Sequence, residues 1–381
     1  MKIALVHDYL TQRGGAERVF ELLCKYFPDA DIFTSLYDRE NTIDLKERSV
    51  STTPLQHLPG SAKYFRMLAP FYYPAFRSLD LQAYDLIISS TSSFAKGIKK
   101  SAGAKHICFC HNVTRFLWDI DTYLKEYSEY KKFYPLFEKL LQSMRKLDYK
   151  YAQEPDVYIA NSSVVGRRIE NIYHRKAIVV NYPIDSENFK FHPKKQNFYL
   201  VTSRMLGYKK IDVTIKAFNN LGWPLIIIGD GPEREYLESI AEKNVKFLGY
   251  VSDRKRRNLM SKASGVIVTA LEDYGLVPIE ANASGTPVIA YGKGGVLDTQ
   301  ICGITGVLFE RQTPESLEKA LLQAKNIKWD YTDIKNHALS NFTEKVFFDK
   351  VDVIIDYVRR NEPIARLEQK LSSQDLKVSV A

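Results

Sequence analysis

The densest chemistry in the chain lies in Leu271–Ala290, LEDYGLVPIEANASGTPVIA, where two carboxylates, Glu272 and Glu280, bracket Gly275 and Pro278. An apolar run, Gly265–Thr269, precedes it, and the spacing predicts a strand, a loop over Ala270–Leu276 and a helix over Val277–Ser284. Pro278 suits a first helical turn because its missing N–H costs nothing there. Gly285 suits the helix stop. Such a helix offers free N–H groups and a positive dipole end near Gly275–Val277, a ready place for phosphate. Two readings of the carboxylates stand side by side. One carboxylate can reach a sugar hydroxyl while the other accepts from a ribose hydroxyl; equally, Glu280, expected in the first turn, can simply complement the dipole while Glu272 is solvated.

Four further places have the types for related chemistry. Arg204 and Lys209 follow the apolar run Phe198–Ser203, and two cations a few residues apart can neutralise charge building on a leaving group. Lys209 with Lys210 also reads as an exposed first-turn pair. Gly14 and Gly15 follow the first apolar run and let backbone approach a phosphate, or merely make a turn. They do not form a GxGxxG, which weakens a nicotinamide-dinucleotide reading. His111 closes the run His106–His111 ahead of Asn112 and Arg115, where a histidine is either structural or faces a ligand. Asp8 follows the first strand, and the family resemblance given below implies a candidate contact on the acceptor side for it. No DxD-type metal motif sits at a strand end.

These residues need a scaffold that delivers them at strand ends. Strand-like runs occur at Lys2–His7, Ile32–Leu36, Asp85–Ser90, His106–His111, Val157–Ala160 and Ala177–Asn181. The pattern restarts at Phe198–Ser203, Leu225–Gly229, Val245–Leu248, Gly265–Thr269, Val288–Tyr291 and Val307–Phe309. Helical stretches lie between them, at Ala16–Tyr26, Tyr123–Ala152, Lys210–Leu221, Glu233–Lys243 and Asp253–Ser261, and a last one starts at Phe342. Continuous rather than alternating apolar character points to parallel strands covered on both faces. The alternation predicts an α/β chain of two doubly wound domains with a cleft between them and ligands beyond the carboxyl ends of the strands. The polar stretch Pro183–Asn197 reads as the linker.

A length of 381 residues fits two domains. Fifty-four Lys and Arg against 45 Asp and Glu leave a net charge of +9, enough to imply an anionic partner without choosing it. Four cysteines, Cys24, Cys108, Cys110 and Cys302, are too few for a disulfide framework and read as reduced thiols of a cytosolic protein. No signal peptide and no apolar run long enough to span a membrane is expected. Tyr and Phe number 24 and 20, and many stand beside cations, as in KYFRMLAPFYYPAFR (Lys63–Arg77) and around Lys96, Lys99, Lys100, Lys131, Lys132, Lys139, Arg145 and Lys146. That mixture suits an anionic membrane headgroup interface, or a core whose charges are merely solvated. Single-stranded nucleic acid is a third possible partner, but no nucleic-acid motif supports it.

EDYGLVPIEANASGTPVIA resembles the E-x7-E signature of retaining GT-B glycosyltransferases, glycosyltransferase family 4. SRMLGYKKIDVTIKAF (Ser203–Phe218), IIIGDGPE (Ile226–Glu233), VKFLGYVSD (Val245–Asp253), ANSS (Ala160–Ser163) and VNYPID (Val180–Asp185) match in the same order. The resemblance implies two Rossmann-like domains facing each other across a cleft: 1–184 for the acceptor, 185–345 for the nucleotide sugar, and 346–381 as a helix crossing back, from about Val346, plus a tail. It implies that Arg204 and Lys209 clamp the donor diphosphate and that Glu272 binds the transferred sugar. By the same resemblance Glu280 binds ribose, Gly275 and Leu276 offer N–H groups, Gly14 and Gly15 assist, and His111 faces the sugar. No cofactor and no metal is expected, the nucleotide sugar being a substrate. HDYLTQRGGAERVFELLCKYFPDADIFTSLYD (from His7) and CHNVTRFLWD are similar to mannosyltransferase-like enzymes of bacterial polysaccharide and O-antigen synthesis. They imply hexose transfer, GDP-mannose favoured over dTDP-rhamnose or a UDP-sugar, to a lipid-linked saccharide at the cytoplasmic membrane face. A sugar-nucleotide epimerase and a non-catalytic membrane scaffold are the alternatives.

Overall fold

The computed structural model describes residues 1–119, 134–362, 366, 367, 370 and 371. The chain divides into two compact units: Met1–Val180 with the described residues from Val351 on, and Asn181–Lys350.

The first unit is built on seven parallel strands: β1 (Ile3–His7), β2 (Asp31–Thr34), β3 (Val50–Thr52), β4 (Leu86–Thr91), β5 (Lys105–Cys110), β6 (Val157–Ala160) and β7 (Ala177–Val179). Their order is β3-β2-β1-β4-β5-β6-β7. The apolar runs become strands because both faces are covered, and every residue of β4 is buried. β3 was not expected, since three residues reading Val-Ser-Thr make no apolar run. Buried polar groups inside this sheet are paired: Ser89 Oγ lies 2.7 Å from His106 Nε2. Cys24, Cys108 and Cys110 are buried free thiols and Cys302 is exposed.

The second unit repeats the plan with six parallel strands: β8 (Gln196–Thr202), β9 (Leu225–Ile228), β10 (Val245–Phe247), β11 (Ala263–Val268), β12 (Val288–Tyr291) and β13 (Gly306–Phe309). The order β10-β9-β8-β11-β12-β13 is the doubly wound Rossmann arrangement. In both sheets the order reverses beside the first strand, between β1 and β4 and between β8 and β11. At these switch points neighbouring loops splay apart and leave room for a ligand.

Several local expectations are corrected. The helix expected over Glu233–Lys243 is confined to Arg234–Ser239. The stretch Tyr123–Ala152 yields a helix over Tyr134–Tyr151, and residues 120–133, with Lys131 and Lys132, lie outside the described residues. Pro183–Asn197 does not run free as a linker. Ile184 and Phe189 are buried, Ile184 bridges Thr343, and Gln196 already opens β8. Lys195 Nζ donates to Ser261 O (2.8 Å), Ser284 O (3.2 Å) and Thr286 Oγ1 (2.9 Å), and burial pushes its amine down to about 7. The last long helix runs Glu344–Arg359. Its second half counts with the first unit, where Tyr26 Oη donates to Asp352 Oδ2 at 2.6 Å.

The aromatic and basic residues of the first unit separate into two populations. Phe65, Tyr72, Tyr73 and Phe76 join its core. Lys96, read from sequence as either a headgroup-facing or a solvated cation, is buried and pairs with the fully buried Asp148 at 2.8 Å. Asp148 also accepts from Tyr73, from Thr114 Oγ1 (2.6 Å), from Trp118 Nε1 (2.6 Å) and from Tyr173 (2.8 Å). One carboxylate thus fastens the loops after β4 and β5 to the helix Tyr134–Tyr151. Burial raises its pKa, but the Lys96 charge and the hydrogen bonds outweigh that and hold it below the usual range. Removing the anion strands a buried ammonium, so Asp148→Ala should cost about 3–5 kcal/mol by urea unfolding. Because its folded pKa is depressed, the wild-type contribution should be complete above about pH 4 and vanish as pH falls through the folded value. A loss below 1 kcal/mol would refute this role.

Candidate functional site

In the second unit, three of the expected residues leave the switch point on adjacent loops. Arg204 follows β8 directly. It is exposed, and its guanidinium makes no hydrogen bond or ion pair among the described residues. Its loop is held by the loop after β9: Met205 N donates to Asp230 O (2.8 Å) and Glu233 N to Met205 O (3.2 Å). Gly229 and Gly231 permit this approach, because a Cβ there would lie 1.9 Å from Ser203 O and 2.5 Å from Met205 O. Lys209 ends the turn Gly207–Lys209, and its carbonyl accepts from Thr269 Oγ1 at 2.9 Å.

Lys209 Nζ is ion-paired to Glu272 Oε1. This pair joins the loop after β8 to the loop after β11. Burial lowers the Lys209 pKa, but Glu272 and Tyr208 more than offset it, so the ammonium persists. The Glu272 loop is fixed by its own backbone. Gly295 N donates to Glu272 O at 2.8 Å, and Tyr274 Oη donates to Tyr182 O at 2.6 Å. Of the two readings open from sequence, Glu272 is therefore a partnered carboxylate rather than a solvated one.

The helix that follows runs Leu276–Ala283, capped by Gly275 at φ +83, a conformation that favours glycine. No side chain caps it, and the N–H groups of Leu276 and Val277 have no partner inside the helix. Because it starts one residue early, Glu280 falls in its second turn and not its first. Glu280 is 6% exposed and bidentate to Arg256, with Nη1–Oε2 at 2.5 Å and Nη2–Oε1 at 3.3 Å. Dipole complementation is thus not its main interaction. Sequence reasoning missed Arg256, because the run Asp253-Arg-Lys-Arg-Arg257 reads as a solvated basic helix and nothing local singles out one arginine.

In the first unit, the switch point gathers Asp8, Gly14, Gly15 and His111. Asp8 is not available to an acceptor. Its Oδ1 accepts from Thr91 Oγ1 (2.7 Å), Phe94 N (2.8 Å) and Ala95 N (2.7 Å), and its Oδ2 from Ser92 N (2.6 Å) and Ser93 N (2.9 Å). With 3% exposure, it shapes the loop after β4. Gly14 caps the helix Gly15–Tyr26, and a Cβ on it would meet Glu17 Oε2 at 2.7 Å. A Cβ on Gly15 would meet nothing within 4 Å, so only Gly15 leaves its outer side clear.

His111 is 8% exposed, with Nε2 2.7 Å from Ser90 Oγ. The same hydroxyl is 3.1 Å from Nδ1 of His7, whose Nε2 lies 4.0 Å from Glu17 Oε1. Ser90 has one hydrogen to give, so it can donate to one histidine while accepting from the other, which couples their tautomers. Burial, then the neighbouring His7, pushes the His111 pKa down to about 3. The residues missed here, His7, Ser90 and Glu17, carry one sequence signal: His7 ends the first strand, as His111 directly follows the fifth. Among the described residues, no group of three or more His, Cys, Asp or Glu could hold a metal ion.

Two measurements test this geometry. A neutral folded His111 must gain a proton on unfolding below pH 6.5, so stability should fall as pH drops from there toward about 3. His111→Gln should flatten that slope by up to about 1.4 kcal/mol per pH unit in urea titrations, and an unchanged slope would contradict the assignment. Arg256→Ala should destabilise the chain by about 3 kcal/mol, because Glu280 stays buried without its partner. Loss of less than 1 kcal/mol would show that the pair is not holding the helix.

Comparison with known proteins matches both halves. Residues 13–188 match the model for Glycosyltransferase Family 4, and residues 184–345 match that for Glycosyl transferases group 1. An uncharacterized glycosyltransferase of Methanocaldococcus jannaschii is 25% identical over 340 residues, 86% of this chain and 89% of that one. The D-rhamnosyltransferase WbpZ of Pseudomonas aeruginosa is 25% identical over 222 residues, 53% of this chain and 54% of its own. Among solved structures, Anabaena Alr3699/HepE in complex with UDP superposes with a TM-score of 0.69 at 18% identity, over 93% of this chain and 100% of the other. The two family matches are contiguous and in order, leaving only residues 1–12 and 346–381 outside, and the chain belongs to the GT-B glycosyltransferases of the group 1 and family 4 type.

Proposed function

We propose that the chain transfers a hexose from a nucleotide-diphosphate donor, with retention of configuration, to a lipid-linked saccharide in cell-surface polysaccharide synthesis at the cytoplasmic membrane face. The observation that carries the reading is the Lys209–Glu272 pair on the loops leaving β8 and β11, beside a helix that begins with uncapped N–H groups. An arriving diphosphate offers Lys209 a second anion and meets the exposed Arg204 and the N–H of Leu276. Three positive centres then face the oxygens on which charge develops as the glycosidic bond breaks. Glu272, relieved of part of its ion pair, accepts from hydroxyls of the sugar. Glu280, oriented by Arg256, accepts from the ribose. In the first unit, Gly15 leaves backbone space at its own switch point, and the uncharged His111 offers a hydrogen-bonding group there.

The leaving group is stabilised by fixed charge, so no covalent intermediate on the protein and no metal is required in this scheme. GDP-mannose is the favoured donor, on the resemblance of the N-terminal motifs to mannosyltransferase-like enzymes. A UDP-sugar is the second reading, favoured by the UDP and UDP-glucose complexes of Alr3699/HepE.

A thermal-shift panel of GDP, UDP, dTDP and ADP tests the donor, since a ligand that binds the native state raises its stability. Transfer from the stabilising nucleotide's sugar should then fall by about 10²–10³ in kcat for Arg204→Ala, Lys209→Ala and Glu272→Ala, and should survive EDTA. Undiminished transfer by all three variants would overturn the site. Interconversion of a UDP-sugar without acceptor would favour an epimerase, and absence of nucleotide binding by calorimetry a scaffold.

A further inference from the structure

Four buried side chains meet at the switch point of the first unit. His7 closes β1, and the strand register sets it opposite Ser90 of β4. His111 follows β5 directly, and its backbone N–H donates to Thr91 O at 2.8 Å. Glu17 stands in the first turn of the helix Gly15–Tyr26. Glu17 is 3% exposed, His7 2%, Ser90 0% and His111 8%. No arginine or lysine pairs with Glu17 among the described residues; its Oε1 accepts from Gln12 Nε2 at 3.2 Å and lies 4.0 Å from His7 Nε2. Burial raises the Glu17 pKa, but His7, the backbone and Gln12 outweigh that, so the group stays a carboxylate. A Cβ on Gly14 would meet Glu17 Oε2 at 2.7 Å, so the glycine keeps the place of the carboxylate open. Phe20 stacks on the His7 ring at 4.7 Å and sets its plane.

A carboxylate has no hydrogen to give, so this chain of groups has one end that only accepts. A bare Nε2 on His7 would turn a lone pair toward that charge, which favours the proton there. At 4.0 Å the two do not make the short contact of a charge-assisted hydrogen bond, so His7 is a neutral ring whose Nδ1 accepts. Ser90 Oγ, 3.1 Å from that nitrogen, gives it its single hydrogen. The oxygen is then left to accept, and His111 Nε2 at 2.7 Å donates to it. In a neutral imidazole the bond made by one nitrogen decides which of the two carries the proton. Burial keeps the His111 ring neutral near pH 7. We propose that Glu17, acting through His7 and Ser90, is a positioning residue that holds the His111 proton on Nε2 and presents Nδ1 as an acceptor. Whatever meets Nδ1 must then bring a hydrogen: a sugar hydroxyl qualifies, and a phosphate oxygen or a carbonyl does not. The inference rests on the reading of His111 as a hydrogen-bonding group for substrate and adds which substrate atoms it takes.

The test is ¹⁵N NMR of the full chain with labelled histidine, assigned with His7→Gln and His111→Gln. In the wild type both rings should carry their proton on Nε2. Glu17→Gln puts an amide, which donates as well as accepts, in place of the carboxylate. The polarity is then released, and the His111 signals should move toward the Nδ1–H form, although no hydrogen bond joins residue 17 to that ring. In a Ser90→Ala background Glu17→Gln should no longer move them. Free imidazole also favours Nε2–H, so the response to Glu17→Gln is the deciding arm. In transfer assays Glu17→Gln should lower kcat by about tenfold, the scale of one misdirected hydrogen bond, with an unchanged thermal shift by the nucleotide. Ser90→Ala should lose as much, and Ser90→Thr, which keeps the hydroxyl, should recover it. A wild-type His111 protonated on Nδ1, or a His7 protonated on both nitrogens, would overturn the proposal. So would His111 signals that ignore Glu17→Gln, or undiminished transfer by that variant. Coupling between Glu17 and His111 in a wild type that shows no nucleotide shift would support the tautomer chain while refuting the donor reading.

Discussion

Everything in this chain follows from the constraint that parallel strands cannot be joined by tight turns. Each connection must cross back over the sheet, so every strand ends at the same edge and every loop there leaves in the same direction. Where the strand order reverses, two neighbouring loops diverge, and in both units the chemistry collects at that place. Lys209 and Glu272 come from the loops after β8 and β11, and Asp8 and Ser90 from β1 and β4. A ligand site is therefore a property of the strand order before it is a property of any side chain.

Charge at these edges is organised by pairing. Asp8 is spent on four backbone N–H groups and the Thr91 hydroxyl, and it turns the loop after β4 into a fixed wall. Asp148 does the same for two loops and a helix through Lys96 and four further donors. Glu280 is oriented by both nitrogens of Arg256. Against this background Arg204 stands out as a cation on a clamped loop with no partner among the described residues. The contrast separates carboxylates that hold the frame from a cation that the frame leaves exposed.

Much of this was legible beforehand for a simple reason. A strand buried on both faces is mostly apolar, with its few buried polar groups paired, so the runs at Ile3–His7, Leu86–Thr91 and Leu225–Ile228 announce themselves. β3 did not, since an edge strand of Val-Ser-Thr buries too little to need an apolar run. The polar stretch after Pro183 resembled a linker because its residues are mostly polar and show no clear period. Only packing shows that Ile184 and Phe189 are buried and that the Lys195 ammonium is satisfied by two carbonyls and a hydroxyl.

The sequence alone determined the α/β plan, the positions of the strand-end loops and the block around Glu272, because periodicity and turn chemistry are local. Local spacing also placed Arg204 and Lys209 directly after a strand. The tertiary structure decided which charges meet. It paired Lys209 with Glu272 across more than sixty intervening positions and gave Arg256, one of four neighbouring cations, to Glu280. It closed Asp8 away from any acceptor, buried Lys96, and left Tyr64, Met67 and Phe71 outside while drawing Phe65 and Tyr72 in. Pairing and burial depend on which distant segments arrive at the same place, and no window along the chain contains that information.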